Sequence, residues 1–178
     1  ISILPYVPSA GSDQTTSSVS DFQTYGTVIA MLKELYTMLG GDHWIHNSGW
    51  NTTNSNPCTW WGINCAGDAF PESPTLDLPV HVQFILELSN NNLTGVIPES
   101  IGVLKANLLS LDLSNNNISG SIPKGLGELR LQYLSLSNNS LTGSIPVNFF
   151  QNLSLTTLSL ANNKLSGTIS NTIGTMCV

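Results

Sequence analysis

Four segments of this chain repeat one another: LELSNNNLTGVIP from Leu86, LDLSNNNISGSIP from Leu111, LSLSNNSLTGSIP from Leu134 and LSLANNKLSGTIS from Leu158. One asparagine recurs through them at Asn91, Asn116, Asn139 and Asn163, in steps of 25, 23 and 24 residues. Self-similarity at that period marks stacked coils, in which each unit buries its apolar face only against its neighbours, rather than a compact globule.

Within a unit the pattern runs L-x-x-L-x-L-x-x-N-x-L, most completely as Leu108, Leu111, Leu113, Asn116, Ile118 and as Leu155, Leu158, Leu160, Asn163, Leu165. Alternation around the central leucines predicts a short strand with Leu inward and its neighbours outward, and stacking makes those strands a parallel sheet. A side-chain amide both donates and accepts. Asn91, Asn116, Asn139 and Asn163 are therefore expected to form a buried ladder that bonds backbone groups of their own and the next coil. Asn92 and Asn117, each one residue further on, are expected to share a column about one strand spacing, ~5 Å, apart.

After the ladder each unit continues L-[ST]-G-x-I-P, and upstream lie GGDHW, Gly49-Trp50 and C-x-W-x-G-I-x-C with Cys58, Trp60, Gly62, Ile63 and Cys65. Over about residues 22 to 174 this resembles the plant-specific subclass of extracellular leucine-rich repeat proteins. The resemblance implies an α/β solenoid with a short parallel sheet, a second strand beside it in each coil, and an N-terminal helical cap. Gln83 stands where the first unit should carry a leucine, and Ser170 replaces the last proline.

The expected organisation has three parts: an extended arm over 1–20, a cap over 21–79, and about four coils over 80–178 with no evident C-terminal cap. The arm is interrupted by Pro5 and Pro8 and turns Gly/Ser/Thr-rich, yet begins with the apolar Ile1, Ile3, Leu4, Tyr6 and Val7. From about Asp21 to Leu39, apolar residues recur at helical spacing, with Ser20 or Asp21 as N-cap and Gly40-Gly41 as the stop. Cys58 and Cys65 have six residues between them and can close a local disulfide if the backbone turns back; the alternative is two buried thiols.

Charged residues make up 9% of the chain and the net charge is −6. Five Lys and Arg scattered along it give nothing to neutralise a phosphate backbone, so nucleic acid is not an expected partner. No apolar run reaches the ~18 residues of a membrane span. Ile1 in place of an initiator Met, the cysteine pair, and N-x-Ser/Thr sequons at Asn51, Asn92, Asn117, Asn138 and Asn152 together predict a secreted, extracellular protein bearing N-linked glycans.

Chemistry has little to work with. Asp42, His43 and His46 invite a metal, but no further ligands stand at the right spacing and the stretch matches a structural cap; His81 is isolated. No nucleophile elbow, zinc-protease motif or phosphate loop occurs, so neither enzyme activity nor a cofactor is expected. Outward strand positions (Ile85, Glu87, Ser89; Ser110, Asp112, Ser114; Tyr133, Ser135, Ser137; Thr157, Ser159, Ala161) would line the concave face, where Glu87, Asp112 and Tyr133 are the candidates for binding. An open final coil, the apolar arm and the odd Cys177 point to a protein partner, further copies of the chain stacked head to tail. The alternative is a ligand-binding ectodomain or a fragment of a receptor, inhibitor or adhesin.

Overall fold

The structure, a computed structural model, describes residues 24–52, 56–66, 82–151 and 154–167. Helix α1 spans Tyr25–Met38, and its buried Tyr25, Val28, Met31, Leu32, Leu35 and Tyr36 form one stripe. Its N-cap is Thr24, whose Oγ1 accepts from Thr27 N at 3.3 Å; the expected Ser20 and Asp21 lie outside the described residues. The helix stops where Gly40 turns left-handed, at φ 69°, a conformation that costs glycine no Cβ clash.

Strand β1 (Ile63–Ala66) follows the cap loop, and β2 (Gln83–Glu87) begins the repeats. Each coil adds a strand to a main sheet and a short one to a flank: β3 (Thr94–Val96), β4 (Leu108–Asp112), β5 (Asn117–Ser119), β6 (Tyr133–Ser135), β7 (Thr142–Gly143), β8 (Thr157–Ser159) and β9 (Lys164–Leu165). Among the described residues the main sheet has the order β1-β2-β4-β6-β8. It is parallel except for β1, which runs antiparallel to β2 with Ile63 opposite Leu86 and Cys65 opposite Phe84. Opposite the sheet, each of the first three coils returns through a short helical segment: 3-10 helices at Glu99–Ala106 and Val147–Gln151, and α2 at Gly125–Glu128. Parallel strands need such a crossover on one side, and here its helical part is only four to eight residues long.

Between the two walls runs an apolar spine. Phe84, Leu86, Leu88, Leu93, Ile101, Leu104, Leu111, Leu113, Ile118, Leu134, Leu136 and Leu141 are all fully buried. In the last coil Leu158, Leu160 and Leu165 are only half-buried, because no further described coil stacks on them. The glycine of the L-[ST]-G motif has a steric reason: Gly95 has φ 90°, and a Cβ there would stand 2.2 Å from the carbonyl oxygen of Met38.

At the front the spine is closed by rings. Trp44 meets Tyr36 and Trp50 edge-on, each at 5.1 Å, and Trp50 meets Trp60 at 5.2 Å. Pairs of this kind are worth ~0.5–1.5 kcal/mol beyond the area they bury. Trp44 Nε1 donates to the Leu39 carbonyl and Trp50 Nε1 to that of Trp61, each at 2.8 Å, so the burial leaves neither indole unsatisfied. Cys58 and Cys65 form a disulfide with their Cα atoms 5.5 Å apart. It ties the turn Pro57–Thr59 to β1.

Candidate binding face

The ladder asparagines hold the strands in register. Asn116 Oδ1 accepts from the backbone N–H of Asn91 and of Leu93, and its Nδ2 donates to the carbonyls of Leu88, Leu113 and Ser114. Asn139 repeats this with Ile118 N–H and the carbonyls of Leu113, Leu136 and Ser137. Asn163 takes Leu141 N–H and donates to Leu136, Leu160 and Ala161. Two expectations need correction. The neighbour reached is the preceding coil, not the next, because each amide lies against the turn of the coil before it, where Oδ1 meets that coil's N–H and Nδ2 one of its carbonyls. Only Asn91 is fully buried, while Asn116, Asn139 and Asn163 are half-buried.

Asn91 has no coil before it, and the cap loop stands in. His46 N–H donates to Asn91 Oδ1 at 2.6 Å and Asn91 Nδ2 donates to the His46 carbonyl at 2.9 Å. Outside this ladder runs a second one that the sequence reading missed: Asn138 Nδ2 donates to Asn115 Oδ1 at 2.8 Å, and Asn162 Nδ2 to Asn138 Oδ1 at 2.6 Å. All three residues are left-handed, at φ 55°, a region Asn tolerates better than most residues. The signal was present as the Asn-Asn doublets.

Register sets out the face of the main sheet in rows. One row is Asn64, Ile85, Ser110, Tyr133 and Thr157, and the next is Glu87, Asp112, Ser135 and Ser159. Glu87 and Asp112 are thus direct neighbours, with Tyr133 diagonal to Asp112 in the adjoining row. Glu87 is exposed and Tyr133 is 36% exposed. The Asp112 carboxylate is half-buried and accepts from Ser114 N–H at 2.9 Å. Ser114 and Ser135, expected to face out, are buried; with neighbouring strands one spacing away, short side chains are covered by the flanking ones. No Lys or Arg falls in β1, β2, β4, β6 or β8, so the face is anionic.

The other expected site residues are dispersed. Tyr36 donates its hydroxyl hydrogen to Asp42 Oδ1 at 2.8 Å, and the His46 ring stacks on Trp61 at 4.8 Å. No group of three metal-ligating side chains occurs among the described residues, and no helix among them is long and apolar enough to cross a membrane. Asn51 and Asn117 are exposed, Asn92 Nδ2 donates to the His43 carbonyl at 3.0 Å, and Asn138 sits in the outer ladder. Asn117 stands opposite Thr94, not in a column with Asn92, because the flanking strands are staggered by two residues. Asn152, His81, Ser170, the arm residues Ile1, Ile3, Leu4, Tyr6 and Val7, and Cys177 lie outside the described residues.

Stacked coils with an asparagine ladder, a parallel inner sheet and a flanking second strand define a leucine-rich repeat solenoid. Family models of the leucine rich repeat match residues 85–141 and 154–176. The chain is 34% identical over 110 residues to the receptor-like protein kinase HSL1 of Arabidopsis thaliana, which covers 62% of this chain and 8% of that protein. Its fold matches the BIR2 ectodomain from the same organism with a TM-score of 0.67 at 31% identity, covering 83% of this chain and 75% of that one. It also matches the Arabidopsis receptor kinase HAESA, solved in complex with the peptide hormone IDA and the co-receptor SERK1, with a TM-score of 0.54 at 29% identity, covering 83% of this chain and 27% of that one. The chain belongs to the plant-type leucine-rich repeat family. It spans less than a tenth of the length of the curated receptor kinases it matches.

Proposed function

We propose that this chain is an extracellular recognition module that binds a protein or peptide partner on the open face of its main sheet, around Glu87, Asp112 and Tyr133. The observation that carries the reading is the HAESA complex, in which the same fold is found with a peptide hormone and a co-receptor. The face itself adds support: two adjacent carboxylates and an exposed Tyr, with no cation among its described strands. Charge of one sign favours encounter with a partner of the other, and an exposed Tyr is the residue type that anchors interfaces. The partner class is therefore a cationic peptide or protein segment. The role is binding, with no catalytic step.

Panning a random peptide display library on the folded chain tests this. Enriched peptides should be rich in Lys and Arg, and their affinity should fall ~tenfold or more in Glu87→Lys and in Tyr133→Ala, as for hot-spot residues. Binders that keep full affinity for both variants would place recognition elsewhere. Head-to-tail self-association, proposed from Ile1, Ile3, Leu4, Tyr6, Val7 and Cys177, rests on residues outside the described ones. Light scattering decides it: a mass that grows with concentration favours assembly, and a constant single-chain mass removes it.

A further inference from the structure

The described sequons differ in what their side-chain amides are doing. At Asn92, one N–H of Nδ2 donates to the His43 carbonyl at 3.0 Å, joining the first coil to the cap, so a sugar on that nitrogen must fit beside the cap loop. At Asn138 both ends of the amide are engaged, Nδ2 with Asn115 at 2.8 Å and Oδ1 with Asn162 at 2.6 Å. A pyranose on that nitrogen would have to emerge beside the Asn115 amide it already touches, from a side chain whose oxygen is held by Asn162. Both residues are also held left-handed, at φ 57° and 55°.

Asn51 and Asn117 are different. All four asparagines are exposed, but the side chains of Asn51 and Asn117 make no hydrogen bond among the described residues. Asn117 opens β5, where its backbone N–H donates to the Leu93 carbonyl at 2.8 Å. Asn51 sits in a turn of the cap.

From this contrast we propose that Asn51 and Asn117 are the described residues that carry N-linked glycans in the folded protein, while Asn92 and Asn138 serve as structural amides. The inference rests on the extracellular reading above. Transfer forms a bond from Nδ2 to the anomeric carbon of an oligosaccharide carried on a lipid diphosphate. The diphosphate leaves with the bonding electron pair, and Nδ2 gives up one proton. Because Asn117 belongs to the flanking sheet, its glycan departs from a different surface than the Glu87–Asp112–Tyr133 face and leaves that face open to a partner.

The full chain, placed behind a cleavable signal peptide in a eukaryotic secretory host, supplies the test. Enzymatic release of glycans in heavy-oxygen water marks every formerly occupied Asn for mass spectrometry. Most secreted molecules should be marked at Asn51 and Asn117, and a minority at Asn92 and Asn138. A second readout uses unglycosylated bacterial protein. N92D and N138D keep the left-handed tolerance but lose the donor, and their thermal midpoints should fall below those of N51D and N117D, which introduce the same charge. Occupancy of Asn92 or Asn138 at or above that of Asn117, or equal midpoints in all four variants, would overturn the assignment. If the host pattern holds but protein from its native source is unmodified at all four positions, the extracellular reading fails and the assignment falls with it, whereas a reversed host pattern overturns the assignment alone.

Discussion

At the scale of single residues, the ladder asparagines carry the most structure per side chain. Asn116 satisfies five backbone groups in two coils, and no apolar side chain can replace it. Asn116→Leu should cost ~1–3 kcal/mol or more, since buried backbone donors and acceptors lose their partner; the midpoint in urea should drop with the slope unchanged. Tyr36 gives a pH signature. Burial first, and then the hydrogen bond and charge of Asp42, push its phenol above the ordinary value of about 10, against a smaller opposite pull from Asn47. A raised folded pKa means the folded state holds the proton more tightly than the unfolded one, so stability is intact below pH ~10 and declines as pH climbs past it. Tyr36→Phe should therefore trail the parent by a constant margin from pH 7 to 9, and the margin should shrink above pH 10. Urea titrations at each pH would show it.

Among the elements, β1 shows where sequence reading ended. The repeats, the helix stripe and the ring-filled cap were legible because periodicity and residue type alone demand them. That the Cys65 loop folds back as an antiparallel strand on the first coil was not, since four residues with mixed burial carry no readable alternation. The rows of the sheet face were equally hidden. Residue order gives which side a side chain takes, but only register shows that Glu87 abuts Asp112 while Tyr133 lies a row away. The bridge to Cys58 pins β1 at one end and Gly62 anchors the other, its carbonyl accepting from Glu87 N–H at 2.7 Å. Replacing both cysteines by serine should lower stability by roughly 2–3 kcal/mol, the loop-closure value for so short a ring. Differential scanning calorimetry should show a reductant shifting the parent to the same midpoint while leaving the double variant unmoved.

Taken whole, the molecule is a stack in which each coil depends on two neighbours, so protection should be graded along it. Amide hydrogen exchange should be slowest in β4 and β6, which lie between other coils, and fastest in β9, where Leu165 is half-exposed. Uniform exchange from β2 to β9 would instead mean a single cooperative unit. The meeting of Asn91 with His46 has a consequence for lineage. The cap offers its first coil a donor and an acceptor from outside that coil, and each described coil offers its successor at least one of each. A duplicated repeat inserted between cap and stack would find both junctions already compatible, so such proteins can lengthen or shorten by whole units without reinventing their front end.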